Sequence, residues 1–144
     1  MTAKQYLRQG YRLKELIQTH RDELAELRSL LGYAPGIGYD KIGSSPAKWN
    51  GETAETNLVI KCIDMEDQIQ REIDQMFSVM KSIHATIEEV KDPDERLVLR
   101  CKYILFLSWG EISAVMNFSS AQARRVHDEA LRRVKVPEEY LLKS

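Results

Sequence analysis

Between Asp92 and Gln122 the sequence starts a helix three times. Each start is a polar capping residue followed three positions later by Glu or Gln: Asp92-Pro93-Asp94-Glu95, Ser108-Trp109-Gly110-Glu111 and Ser119-Ser120-Ala121-Gln122. In such a capping box the first side chain accepts a backbone N–H from the opening turn, and the Glu or Gln reaches back to the cap. Pro93 suits the first helical position and disfavours helix at Asp92 before it. A segment restarted this often cannot be one long rod. The spacing predicts short helices folded back on one another.

The first of these helices is expected to run through ERLVLRCKYILFL, with Leu97, Cys101, Ile104 and Leu105 at helical spacing. The second should run from Ser108 through Met116, with Ile112, Val115 and Met116 apolar. Asn117 tolerates the left-handed backbone of a sharp turn, and Phe118 can staple the next cap. The third helix sets Ala123, Val126, Ala130 and Val134 on one stripe. Ser120, Ala121, Arg124, Arg125 and Asp128 stay outside, with Arg132 and Arg133 further along.

Two short helices joined by a tight turn, the second carrying exposed arginines, describe a helix-turn-helix, which lays one helix in the major groove of duplex DNA. Arginine forks at 124 and 125 suit guanine edges or phosphates. Ser119 and Ser120, at a helix N-terminus, favour a phosphate through free N–H groups. The candidate DNA contacts are therefore Ser119, Ser120, Ala121, Gln122, Arg124, Arg125, Arg132 and Arg133, the last two on phosphates rather than bases. From Arg96 to Lys135 there are eight Lys/Arg and three Asp/Glu, whereas the whole chain carries −1, so basic charge is concentrated here.

The stretch ERLVLRCKYILFLSWGEISAVMNFSSAQARRVHDEALRRV resembles region 4 of the sigma-70 family. There a helix of E-R-x-V-L-x-x-R-Y character precedes S-x-x-E-I and a recognition helix ending A-L-R-R. The chain departs from the pattern at three places: Lys102 replaces an arginine, Trp109-Gly110 an aliphatic or aromatic residue plus glutamate, and Ser120-Ala121 a charged pair. With the opening MTAKQYLRQ and the long helices that follow, the whole chain resembles ArpU-like and RinA-like late transcription regulators of phages and prophages in Gram-positive bacteria. That resemblance implies DNA-binding control of transcription, with RNA polymerase as a further contact.

Residues 1–91 are expected to form a long antiparallel helical hairpin, residues 92–136 the sigma region 4-like helix-turn-helix, and residues 137–144 a tail. From Ala3 to Leu31 the apolar residues follow a heptad, interrupted at Gly10 and His20, and Gly32 is a natural stop. Gly32 to Gly51 holds five glycines and two prolines, so neither helix nor strand should persist there. The aromatics of that loop (Tyr33, Tyr39, Trp49) either pack on the hairpin tip or bind a partner. Glu52 to Lys91 carries the longest stripe, with a stutter from Ile69 through Ile73 to Met76. A helix of that length spans ~60 Å, more than the first helix can cover. Self-association as a homodimer or higher homo-oligomer is the expected remedy. Leu13, Ile17, Leu24, Leu27 and Leu31 on one helix, and Met65, Ile69, Ile73, Met76, Met80 and Ile83 on the other, are the candidate oligomerisation residues. Met65, Met76, Met80 and Phe77 are expected in the core.

Charged residues make up 30% and apolar ones 43%, normal for a soluble, strongly helical chain. No apolar run is long enough for a membrane span, and no N-terminal segment has an export pattern. The expected location is the cytoplasm of a bacterial host cell. Cys62 and Cys101, without metal-ligand spacing, are expected as reduced packing residues. His20 and His84 lack a metal constellation, and His127 neighbours the buried stripe. Asp64, Glu66, Asp67, Glu72 and Asp74 scatter around a helix beside Lys61 and Arg71, as solvated faces do. No nucleophile–base pair, phosphate-cradling glycine loop or zinc motif is present, so no enzyme, metal or cofactor is expected. The expected function is an oligomeric, sequence-specific regulator that binds double-stranded DNA and activates phage genes. The alternatives are a small-terminase-like DNA-packaging protein, a sigma-like polymerase-binding factor, and a coiled-coil interaction protein.

Overall fold

A computed structural model gives the fold and describes residues 1–32 and 53–141. Every regular element among them is a helix: α1 (Ala3–Leu7), α2 (Gln9–Leu30), α3 (Ala54–Glu88), α4 (Pro93–Tyr103), α5 (Trp109–Met116), α6 (Ser120–Arg133) and α7 (Glu138–Leu141). The protein is all-α. The expected loop with Tyr33, Tyr39 and Trp49, and the tail beyond Leu141, lie outside the described residues.

Local chemistry sets most helix ends. Thr2 and Gln5 cap α1 reciprocally, with bonds of 3.2 and 2.8 Å. The expected continuous first helix is instead interrupted at Arg8. There the Gln9 side-chain amide donates to the Tyr6 carbonyl at 3.0 Å, occupying an acceptor that an unbroken helix would give to residue 10. After α2, Gly32 takes a left-handed φ of 65°, and its N–H reaches the Ser29 carbonyl at 3.0 Å. Asp92 caps α4 through the Asp94 and Glu95 N–H groups (2.9 and 3.1 Å), with Pro93 in the first turn. The expected return bond from Glu95 does not form, because that carboxylate is buried against Arg133. α4 also stops at Tyr103 rather than Leu107. Leu105 and Leu107 donate to the Arg100 and Cys101 carbonyls, and Phe106 is left-handed at φ 56°.

The chain forms two compact units, Met1–Lys14 with Gln75–Ser144, and Glu15–Asp74. Residues 75–91, on the N-terminal side of the boundary expected at Asp92, thus share a unit with α4 to α7.

In the first unit α4, α5 and α6 pack on one another, and α1 contacts α6. Tyr6, Leu7, Ile83, Ile87, Leu99 and Ile112 are fully buried at the centre, and burying each such aliphatic side chain is worth about 1.5–3 kcal/mol. The Tyr6 hydroxyl bonds Ser82 at 2.6 Å and Thr86 at 3.0 Å. Tyr140 of α7 packs edge-on to the Tyr6 ring, 4.8 Å between centroids. The buried face of α4 is Val98, Leu99, Cys101 and Tyr103. Leu97 and Leu105, expected at the core by spacing, are exposed instead, since the helix turns those positions outward and ends before Leu105. Phe77 is likewise not a core residue: it is 77% exposed, while Met76 and Met80 are half-buried.

In the second unit Ile17, Leu24, Cys62 and Ile69 are buried. His20 Nδ1 lies 2.7 Å from a Glu72 carboxylate oxygen, and Arg28 pairs with Glu66. Burial raises the Cys62 thiol pKa, and neither Cys62 nor Cys101 is in a disulfide. Of the residues expected to drive self-association, Ile17, Leu24, Ile69 and Ile83 are buried, and Leu13, Leu27, Leu31, Met65, Ile73, Met76 and Met80 are half-buried.

Candidate nucleic-acid interface

The α5–α6 segment is built by its caps. Ser108 accepts the Glu111 N–H, and Glu111 accepts the Ser108 N–H, both at 3.2 Å, so this expected box is complete. Asn117 ends α5 in the left-handed conformation (φ 55°, ψ 35°). The Phe118 N–H reaches the Ser113 carbonyl at 3.2 Å, and the Ser113 hydroxyl donates to the Phe118 carbonyl, which closes the turn. Ser119 caps α6 through the Gln122 N–H at 3.1 Å. Only this forward half of the third expected box forms.

This geometry gives α6 two distinct faces. Ala123 and Ala130 are wholly buried, which lets neighbouring helices approach closely, and His127 is buried between them. Ser119, Ser120, Ala121, Gln122, Arg124, Arg125, Arg132 and Arg133 are all exposed. Their settings differ. The Arg124 guanidinium stands 5.4 Å from the centre of the Trp109 ring, and the Lys102 ammonium 4.8 Å from the same ring, both within cation–π range. Arg125 has no ion pair among the described residues. Arg132 meets Glu129 at 3.2 Å, and Arg133 pairs with buried Glu95. The first turns of α6 thus present free donors, whereas the arginines at its end are held by carboxylates of the same chain.

Beneath α6 lies a buried polar pair. The Tyr103 hydroxyl is 2.6 Å from His127 Nε2, and His127 Nδ1 is 3.3 Å from Asp128. Burial pushes the Tyr103 phenol up to about 12 and lowers His127 despite Asp128. At neutral pH the tyrosine therefore keeps its proton and donates to Nε2 of a neutral imidazole, whose Nδ1–H faces Asp128. Trp109 meets His127 edge-on at 5.2 Å, so it packs at the edge of this core.

One group escaped the sequence. Lys4 and Arg8, from the other end of the chain, line the same cleft as Lys102 and Trp109. Burial lowers the Lys102 pKa, and repulsion from Arg8, Arg124 and Lys4 lowers it further. The only hint in the sequence is that Lys4 and Arg8 stand one helical turn apart beside the buried pair Tyr6 and Leu7. Among the described residues no cluster of His, Cys, Asp and Glu gathers as a metal site, and no helix is long and apolar enough to cross a membrane. No family model, curated protein or solved structure matches the chain.

Proposed function

We propose that this protein is a sequence-specific double-stranded DNA-binding regulator of transcription, of phage or prophage origin, with α5 and α6 as a helix-turn-helix and α6 as its recognition helix. The observation that carries this reading is the division of α6: Ala123, His127 and Ala130 are buried while Ser120, Ala121, Arg124 and Arg125 face outward beyond the left-handed turn at Asn117. The resemblance of residues 95–134 to sigma-70 region 4 supports the same reading, and activation of phage genes follows from the regulator family that the whole chain resembles. In this proposal α2 and α3 form the helical hairpin that joins copies of the chain. Dimerisation would set two recognition helices on two half-sites and raise affinity through effective concentration.

The test is enrichment of prophage DNA on the purified full chain at physiological salt, repeated with Arg124→Ala/Arg125→Ala. A single enriched site, lost in the double variant with helicity and oligomeric state unchanged, is the expected result. One bidentate arginine–guanine pair is worth about 1–3 kcal/mol, so the double variant should bind its site at least tenfold more weakly. Uniform enrichment that disappears with salt would mean backbone binding alone and would sink the specific-regulator reading. Sedimentation of the same sample tests self-association: a dimer is expected, a monomer would remove the hairpin's proposed role, and a large ring would favour a DNA-packaging protein.

A further inference from the structure

Around the charged residues of this chain two patterns coexist. Arg28, Arg100, Arg132 and Arg133 each meet a glutamate. Among the described residues Lys4, Arg8, Lys102 and Arg124 do not, although they stand close enough for their repulsion to be felt at Lys102. Surface cations normally disperse or find carboxylates, since like charges at short range oppose each other. Here Lys4, Arg8 and Lys102 gather at a cleft of about 530 Å³, and Arg124 lies outside its lining. Glu111, the one carboxylate on its wall among the described residues, already accepts the Ser108 N–H in the α5 cap. Lys102 is half-buried there, so its charge is not simply hydrated away.

We propose that this cleft binds the phosphate of a nucleotide. A phosphate supplies the negative charge the cluster lacks, and the Arg8 guanidinium can meet two of its oxygens at once. The space is larger than a bare phosphate needs and falls within the range of small-molecule sites. Tyr11, Phe106 and Trp109 form its aromatic wall, and aromatic faces stack nucleobases without regard to sequence. The site is distinct from the outward face of α6 and does not depend on α6 entering a groove. The nucleotide is either free, as an effector, or part of a DNA strand lying beside α5.

A full-length chain with Trp49→Phe leaves Trp109 as its sole tryptophan, and its fluorescence reports on the cleft wall. Titrating it at low salt with adenosine monophosphate, and separately with a short random duplex, distinguishes the two sources. If the mononucleotide changes the Trp109 signal and Arg8→Gln/Lys102→Gln weakens that response at least tenfold, the ligand is a free nucleotide. If the mononucleotide is silent but the same double variant weakens duplex binding at least tenfold, the phosphate belongs to DNA. Lys4→Gln/Arg8→Gln, at two exposed positions, repeats the comparison should the Lys102 variant disturb folding. Arg125→Ala, outside the cleft, should leave the mononucleotide response unchanged, which separates this site from α6. Insensitivity of both ligands to both double variants would overturn the proposal.

Discussion

The Tyr103 hydroxyl and His127 Nε2 lie 2.6 Å apart and are both buried, which ties the end of α4 to the middle of α6. Tyr103→Phe keeps the ring, 5.6 Å from the imidazole, but removes the donor. A buried acceptor left without its partner costs about 1–3 kcal/mol. Urea denaturation of the variant should show a loss in that range with an unchanged m-value. A variant as stable as the parent would mean that the hydrogen bond is not made in solution.

The same histidine makes stability depend on pH. Burial lowers its folded pKa below the ordinary value, so between the two the unfolded chain binds the extra proton. Unfolding is then favoured by acid. The contribution is fully present above the unfolded value, about 6.5, and is lost as pH falls through the depressed folded pKa. The urea midpoint should drop between pH 7.5 and 5.5 by more in the parent than in His127→Gln. Equal drops in both would assign the acid sensitivity to other groups.

Glu95 and Arg133 form a second tie between α4 and α6, with the carboxylate 7% exposed and the guanidinium 59% exposed. This carboxylate also keeps one oxygen, Oε1, without a partner among the described residues. Removing only the cation strands a buried charge, which is worse than removing both. Arg133→Gln should therefore lower the melting temperature, and Glu95→Gln/Arg133→Gln should restore part of the loss. Under the proposed DNA-binding role, Arg133 already has its carboxylate, and Arg133→Gln should reduce DNA affinity less than Arg125→Ala. The reverse order in a binding titration would show that Arg133 leaves Glu95 to reach a phosphate.

What was legible in the sequence was local. Ser108 with Glu111, Asp92 with Pro93, Ser119 with Gln122, and the left-handed Asn117 are each decided within a few residues, and the structure forms them where the spacing put them, apart from the return bonds of Glu95 and Gln122. Ala123 and Ala130 are buried as the helical period required. What could not be read depends on partners far along the chain. Glu95 fails to close its box because Arg133 claims it from 38 positions away. Phe77 sits on a stripe of the right period yet faces outward, since periodicity names a face without saying what covers its edges. Lys4 and Arg8 join Lys102 only once α1 has packed on α6, and nothing within either segment announces the other.

Gly10 offers a test of how closely that packing is set. It is buried near the start of α2, and a Cβ added there would collide with Met80 Sδ while meeting Met80 Cε and Phe106 Cζ at an ordinary 3.6 Å. Gly→Ala inside a helix normally stabilises by about 1 kcal/mol. Overpacking a filled site costs about 1–3 kcal/mol. The collision involves the thioether itself, so the second effect should win, and Gly10→Ala should lower stability. Shortening the obstacle reverses the balance: in a Met80→Ala background the methyl occupies freed space, and Gly10→Ala should become neutral or stabilising. A double-mutant cycle by urea denaturation measures this as a coupling energy. Additive effects of the two substitutions would mean that Gly10 and Met80 do not touch, and that the break at Arg8 opens α2 away from α3 in solution.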